Sequence, residues 1–309
     1  MTAVTVRVPA KVNLQLGVGP LRDDGYHDLV NVFHAVSLFD EVTAVPADRL
    51  SVTVEAAPDA RVAIEAVPTT GDNLAARAAR LVAERLGVEP LVGLRIRKAI
   101  PVAGGMAGGS ADAAAALVAC ARLWDDPDTP RLSRDDLMEM GGAIGSDVPF
   151  ALLGGTAIGV GRGERLTPVP ARGTFHWVFA TADGGLSTPA VYAECDRLRE
   201  ERGERAPWPR ASEELMAALA DGDAKALGAA LHNDLQPAAL TLRPSLRDTL
   251  AAGRDLGALG ALVSGSGPTC AFLAESENHA ADLAAALNGA DVARQAFAAH
   301  GPVPGATIL

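Results

Sequence analysis

The stretch from Pro101 to Ala116, PVAGGMAGGSADAAAA, constrains this chain more than any other feature. Gly104, Gly105, Gly108 and Gly109 fall within six residues and lead through Ser110 into an alanine-rich run ending at Trp124. Leu91 to Ile100 reads as a strand before it, so the order is strand, glycine loop, helix. Such a join can aim several backbone N–H groups at one anion, and the helix N-terminus adds its dipole at the same point. Glycine leaves the backbone bare for close approach and admits positive φ. The plainer reading is a flexible loop, or a corner where small residues let a helix lie close on a sheet. The commoner phosphate signatures are absent: there is no G-x-x-x-x-G-K-[ST], and no G-x-G-x-x-G follows a strand. The loop therefore belongs to another class of phosphate binder.

Around it the chain reads as mixed helix and strand. Val4, Val6 and Val8 alternate with polar residues and Lys11 to Gly17 continues with period two, so the chain opens as a strand pair or a long strand bent at Pro9. Gly19 to Gly25 has turn chemistry, and Leu50 to Glu55 alternates again. Asn73 and Gly87 bracket one helix as caps, and Ser133 caps another. In the second half, strands at 177–181, 261–264 and 270–273 alternate with Ala/Leu-rich helices at 213–219, 224–231 and 280–287, which predicts an α+β fold. With 309 residues and 49% hydrophobic content, two domains are expected, 1–161 and 162–309.

A net charge of −11 argues against binding nucleic acid or an anionic membrane, since both rest on Lys and Arg meeting phosphates. No apolar run is long enough for a membrane span, and the first residues lack a secretory pattern. Cys120, Cys195 and Cys270 have no C-x-x-C spacing, so neither a disulfide framework nor a zinc site is expected, and a cytoplasmic location follows. A monomer or weak homodimer is expected. Only three of the 27 basic residues are lysines, so Lys11, between Ala10 and Asn13, stands out.

Three motifs in order carry a resemblance that spans almost the whole chain: Pro9-Ala-Lys-Val-Asn-Leu14, the glycine loop from Pro101, and Val263-Ser-Gly-Ser-Gly-Pro-Thr269. They resemble the GHMP kinase superfamily, named for galactokinase, homoserine kinase, mevalonate kinase and phosphomevalonate kinase. Four further segments narrow the likeness to the branch that phosphorylates a cytidine diphosphate methylerythritol: Ala10 to Leu14, Arg22 to His27, Gly145 to Phe150, and His232-Asn-Asp-Leu235. The resemblance implies an N-terminal domain like the second domain of ribosomal protein S5, a C-terminal ferredoxin-like α/β sandwich, and an active site between them. It also implies ATP and Mg²⁺, with phosphorylation of the substrate's 2-hydroxyl.

Each matched position has an implied role and a plainer one. Asp147 matches the catalytic aspartate that orients the hydroxyl and takes its proton; otherwise it satisfies turn N–H groups before Pro149. The usual family residue before it is Ala, and Ser146 departs from that. Lys11 matches the lysine that supports this aspartate and the attacking oxygen; otherwise it is a solvated strand lysine. Asn13, two residues on, shares its face. Tyr26 and His27 match a cytosine-recognition pair, while Tyr192, after Thr188 and Pro189, aligns loosely with an aromatic across the base; any of them could instead pack in a core. ATP is expected on Pro101, Val102, Ala103, Gly104, Gly105, Met106, Ala107, Gly108, Gly109, Ser110 and Ala111. Ser110 is either a Mg²⁺ or phosphate ligand or a plain N-cap, or both. Another GHMP kinase, for homoserine, mevalonate or a sugar, and a non-catalytic metabolite sensor are the competing readings.

Overall fold

The computed structural model describes residues 3–58, 60–124 and 132–309. The opening alternation forms β1 (Val4–Leu21), one long strand whose pairing with β2 (His27–Pro46) shifts register at Pro9/Ala10, where proline interrupts the ladder. β3 (Ser51–Ala56) follows, then α1 (Leu74–Leu86) and β4 (Val92–Lys98). Asn73 accepts from the Ala75 N–H and Gly87 closes α1 at φ 68, the caps that the sequence predicts. After the glycine loop come α2 (Gly108–Trp124), α3 (Arg134–Ile144), α4 (Val148–Leu153), β5 (Thr156–Gly161) and β6 (Arg165–Pro168). Ser133 and Asp136 make a reciprocal capping box at the start of α3.

β2 is long enough to serve two partners on one edge, β5 along residues 29–34 and β4 along residues 41–46, while β1 lies along its other edge. α2 packs across the back of this sheet with ten of its alanines, leucines and its cysteine buried on all sides, among them Ala113 to Ala116 at 0% exposure. Small side chains let its backbone lie close to β1 and β2, and each larger core residue that fills the remaining space, such as Val12 or Leu14, contributes about 1.5–3 kcal/mol on burial.

The chain crosses to a second sheet between Pro168 and Phe175. There β7 (Phe175–Thr181) is followed by α5 (Thr188–Glu201), α6 (Glu213–Asp221), α7 (Ala224–Ala230), the short β8 (His232–Asn233), α8 (Gln236–Leu242) and α9 (Leu246–Asp255). β9 (Gly260–Val263), β10 (Cys270–Ala274), α10 (Glu277–Gly289), β11 (Gln295–Gly301) and β12 (Thr307–Ile308) complete it. The order β11-β7-β10-β9, all antiparallel, is the ferredoxin-like arrangement in which the first strand sits beside the last and the third. The fold is α+β with two sheets, as expected. A division at residue 161 leaves β6 in the second part although it pairs with β5, and β8 and β12 return to pair with β1 in the first sheet.

Candidate active site

A cleft of about 950 Å³ opens where the glycine loop, β1, β2, α5 and the turn from α3 to Asp147 meet. Lys11, Asn13, Tyr26, His27, Asp147, Thr188 and Tyr192 all line it, so the positions singled out from scattered segments converge. Of the expected ATP-binding stretch, all line the cleft except Val102, Met106 and Ala111. Met106 and Ala111 face the core at 0% and 1% exposure and hold the loop down from behind.

Lys11 Nζ donates to Asn13 Oδ1 at 2.7 Å and to the Gly105 carbonyl at 3.0 Å, and lies 3.9 Å from Asp147 Oδ2. Period two along β1 puts Lys11 and Asn13 on one face, as the sequence predicts, and Asn13 in turn donates to Asn31 Oδ1 at 3.0 Å. Burial pulls the Lys11 ammonium below its usual range, and the Asp147 charge opposes that. Asp147 directly precedes α4, yet its side chain makes no capping bond to that helix. The turn role does not occupy its carboxylate. It faces Lys11 and the cleft instead.

The glycine loop is held by both halves of the chain. Gly105 has φ 76, and a Cβ there would lie 2.2 Å from the Ser264 carbonyl and 3.1 Å from the Gly267 N, so the loop backbone lies directly on the Ser264–Gly267 turn. Ser264 Oγ donates to the Gly105 carbonyl at 3.2 Å. Asn233 Nδ2 donates to the Val263 and Gly265 carbonyls at 2.7 and 2.8 Å, which gives the His-Asn-Asp-Leu segment its function of fixing that turn. The first N–H groups of α2, from Gly108 to Ser110, have no partner within the helix and open on the cleft.

On the opposite wall His27 stacks on Tyr192 with ring centroids 5.2 Å apart, and its Nε2 lies 3.0 and 3.1 Å from the two Asp196 oxygens. Tyr26 is half exposed, with the Arg162 guanidinium 5.3 Å from its ring centroid. Thr188 Oγ1 is 3.0 Å from Ser266 Oγ. One wall therefore presents backbone N–H groups and the other presents aromatic rings.

Residues 73–155 match the GHMP kinases N terminal domain family model, and residues 215–292 match the GHMP kinases C terminal one. The chain is 60% identical to a 4-diphosphocytidyl-2-C-methyl-D-erythritol kinase of Thermobifida fusca (strain YX), over 100% of this chain and 99% of that protein. It is 61% identical to the like-named protein of Streptomyces avermitilis, over 99% and 100% of the two chains. The chain belongs to the GHMP kinases, in the 4-diphosphocytidyl-2-C-methyl-D-erythritol kinase family. A crystal structure of 4-(cytidine 5'-diphospho)-2C-methyl-D-erythritol kinase superposes on it with a TM-score of 0.75 at 34% identity, covering 96% of this chain and 98% of that one. As a GHMP kinase it uses ATP to phosphorylate a small molecule.

Sequence reasoning missed several groups that build this kinase's site. Lys98 donates to Asp112 Oδ2 at 2.8 Å and also pairs with Asp40, all three being buried beneath the loop. Asp40 Oδ1 also accepts from the Ala99 and Ile100 N–H groups at 2.6 and 2.9 Å, fixing the strand end from which the loop departs. Burial raises the Asp112 carboxyl well above its usual range while Lys98 opposes the shift. Removing one partner of such a cluster strands a buried charge, a cost of about 3–5 kcal/mol. Fifty-eight residues separate Asp40 from Lys98, so no local pattern signals this pairing. Asn31 and Asp196 were legible in principle: Asn31 lies at even spacing from His27 on β2, and Asp196 lies one helical turn after Tyr192 on α5.

Among the described residues no helix is long and apolar enough to cross a membrane, and no cluster of three His, Cys, Asp or Glu side chains could hold a metal.

Proposed function

We propose that this chain transfers the γ-phosphoryl group of ATP to the 2-hydroxyl of 4-diphosphocytidyl-2-C-methyl-D-erythritol, a step toward isoprenoid precursors. The observation that carries the reading is the Lys11–Asp147 pair at 3.9 Å, lying between the glycine loop and the Tyr26–His27–Tyr192 wall. An acceptor hydroxyl placed between those walls meets Asp147, which orients it and takes its proton as the phosphoryl group arrives. Lys11 lends positive charge to the oxygen that attacks. The N–H groups at the start of α2, with the glycine loop, hold the ATP phosphates.

Mg²⁺ fits the donor set. A hard cation that keeps several waters needs few protein oxygens. Ser110 Oγ supplies one beside the turn that ends in Asp147, since a Cβ on Gly145 would lie 3.9 Å from it. When bound, the ion neutralises phosphate charge. Chelating divalent cations is therefore expected to abolish turnover, with Mg²⁺ restoring it in an ADP-release assay; full activity in excess chelator would remove the metal from the scheme.

Arg162 covers one face of Tyr26 and leaves the other to a base. Tyr26→Ala is expected to raise the KM for the cytidyl substrate by the equivalent of about 1–3 kcal/mol of lost stacking, with the ATP KM unchanged. A rise in the ATP KM alone would mean that the two pockets are exchanged. The overall reading is tested by ADP release with the cytidyl substrate, homoserine and mevalonate side by side. Turnover of either of the latter two in preference to the first, or binding without turnover, would replace it with another GHMP activity or with a sensor.

A further inference from the structure

One helix face grips one imidazole twice. Tyr192 and Asp196 are four residues apart on α5, and they take the ring face and the Nε2 edge of His27 respectively. An ionised carboxylate only accepts, so the Nε2 between its two oxygens carries the hydrogen. In a neutral imidazole the other nitrogen is then a bare acceptor. Nδ1 has no partner among the described residues and is not among the buried unsatisfied polar atoms, so it remains accessible from the cleft that His27 lines.

We propose that Asp196 is a positioning residue that sets the tautomer of His27, and that the acceptor it creates at Nδ1 selects a base bearing an amino group over one bearing a carbonyl at the same ring position. The proposal rests on the cytidyl reading of the cleft and deepens it. A cytosine offers a 4-amino donor to Nδ1, whereas a uracil offers a 4-oxo group, and two acceptors would then face each other. An unpaired polar group held in a closed contact is what makes such a site reject the wrong partner. Asp196 touches no reacting atom. Its effect on the substrate passes through His27.

Asp196→Asn tests this, because the amide can turn its NH₂ toward Nε2 and invert the tautomer, so that Nδ1 becomes a donor. The side chain is 39% exposed, so the fold tolerates the change. With the cytidyl substrate and its uridyl analogue compared, the preference for the cytidyl compound is expected to fall roughly 10-fold through KM, one neutral hydrogen bond's worth, with kcat moving much less. Asp196→Glu, which keeps a carboxylate on a longer arm, should retain most of the preference. Nitrogen-15 shifts of His27 in the free protein read the tautomer directly: Nε2–H in the wild type, Nδ1–H in Asp196→Asn. A wild-type enzyme that ignores the cytidyl compound overturns the substrate reading and this proposal together. A wild-type enzyme that prefers it, while Asp196→Asn weakens both compounds equally or neither, overturns the proposal alone. A wild-type His27 found with its hydrogen on Nδ1 overturns it as well.

Discussion

Asp147→Asn is expected to lower kcat about 10²- to 10⁴-fold while the binding of both substrates largely survives. The change keeps the shape of the side chain and removes its charge and its capacity to take a proton. The fold has little reason to fail, because this carboxylate caps nothing in α4 and, among the described residues, its ion-pair partner is Lys11 at 3.9 Å. Lys11→Met should also depress kcat. The methionine replaces a buried ammonium with an apolar side chain of similar length, and the Gly105 carbonyl that loses the lysine still accepts from Ser264 Oγ. Two groups acting on one proton transfer are not independent, so the double variant should lose far less than the product of the single losses. Single-turnover phosphoryl transfer, measured beside equilibrium binding, decides the matter. A near-normal single-turnover rate in folded Asp147→Asn would make Asp147 a turn residue and remove it from the chemistry.

The second large effect belongs to Gly105→Ala. Two separate penalties meet at this position: a left-handed backbone that an L side chain resists, and a Cβ that would lie 2.2 Å from the Ser264 carbonyl. Neither obstacle is the soft end of a side chain, so relief requires the loop backbone to move. A displacement of about 1 Å in a group that positions reactants costs on the order of 10²-fold in rate, so phosphoryl transfer is expected to slow by about that much and ATP affinity by calorimetry to fall with it. Gly87→Ala provides the contrast in the same experiment. Gly87 also has positive φ, but a Cβ there meets nothing within 4 Å, so the variant should lose about 1–2 kcal/mol of stability and no ATP affinity. Unchanged ATP affinity in a folded Gly105→Ala protein would show that the loop does not need its seat on the 264–267 turn.

What the sequence revealed of the fold was local. The caps of α1, Ser133 as the cap of α3 and the strand–loop–helix order around Pro101 depend on residues within a turn of one another, and all were legible. Long-range pairing was not. β8 and β12 contain two residues each, too short for any periodicity, and only the folded chain brings them to β1. The candidate site divides the same way. Lys11 and Asn13 follow from period two, but the glycine-loop composition does not say which of its residues carry positive φ. Gly105 does, as do Ala103 and Ala107 at φ 52 and 60, whereas Gly108 does not. The requirement for a small residue at Gly108 comes from below, where a Cβ would sit 3.1 Å from both Ile100 Cγ2 and Lys98 Nζ. The buried Lys98 cluster left no trace in the sequence because its members are held together by tertiary packing alone.

The seating of Gly105 on the Ser264–Gly267 turn bears on how such enzymes can be recombined. The glycine loop is encoded in the first half of the gene and its support in the last fifth, while β1 is flanked by residues 232–233 and 307–308. A chimera joining the first 170 residues of this chain to the remainder of a distant GHMP kinase would therefore inherit the whole glycine loop with Lys11 and Asp147 and yet hold them on a mismatched bed. The exchangeable unit is not a contiguous stretch of sequence: a working graft would have to carry the loop, the Asn233-anchored turn and the terminal strand together.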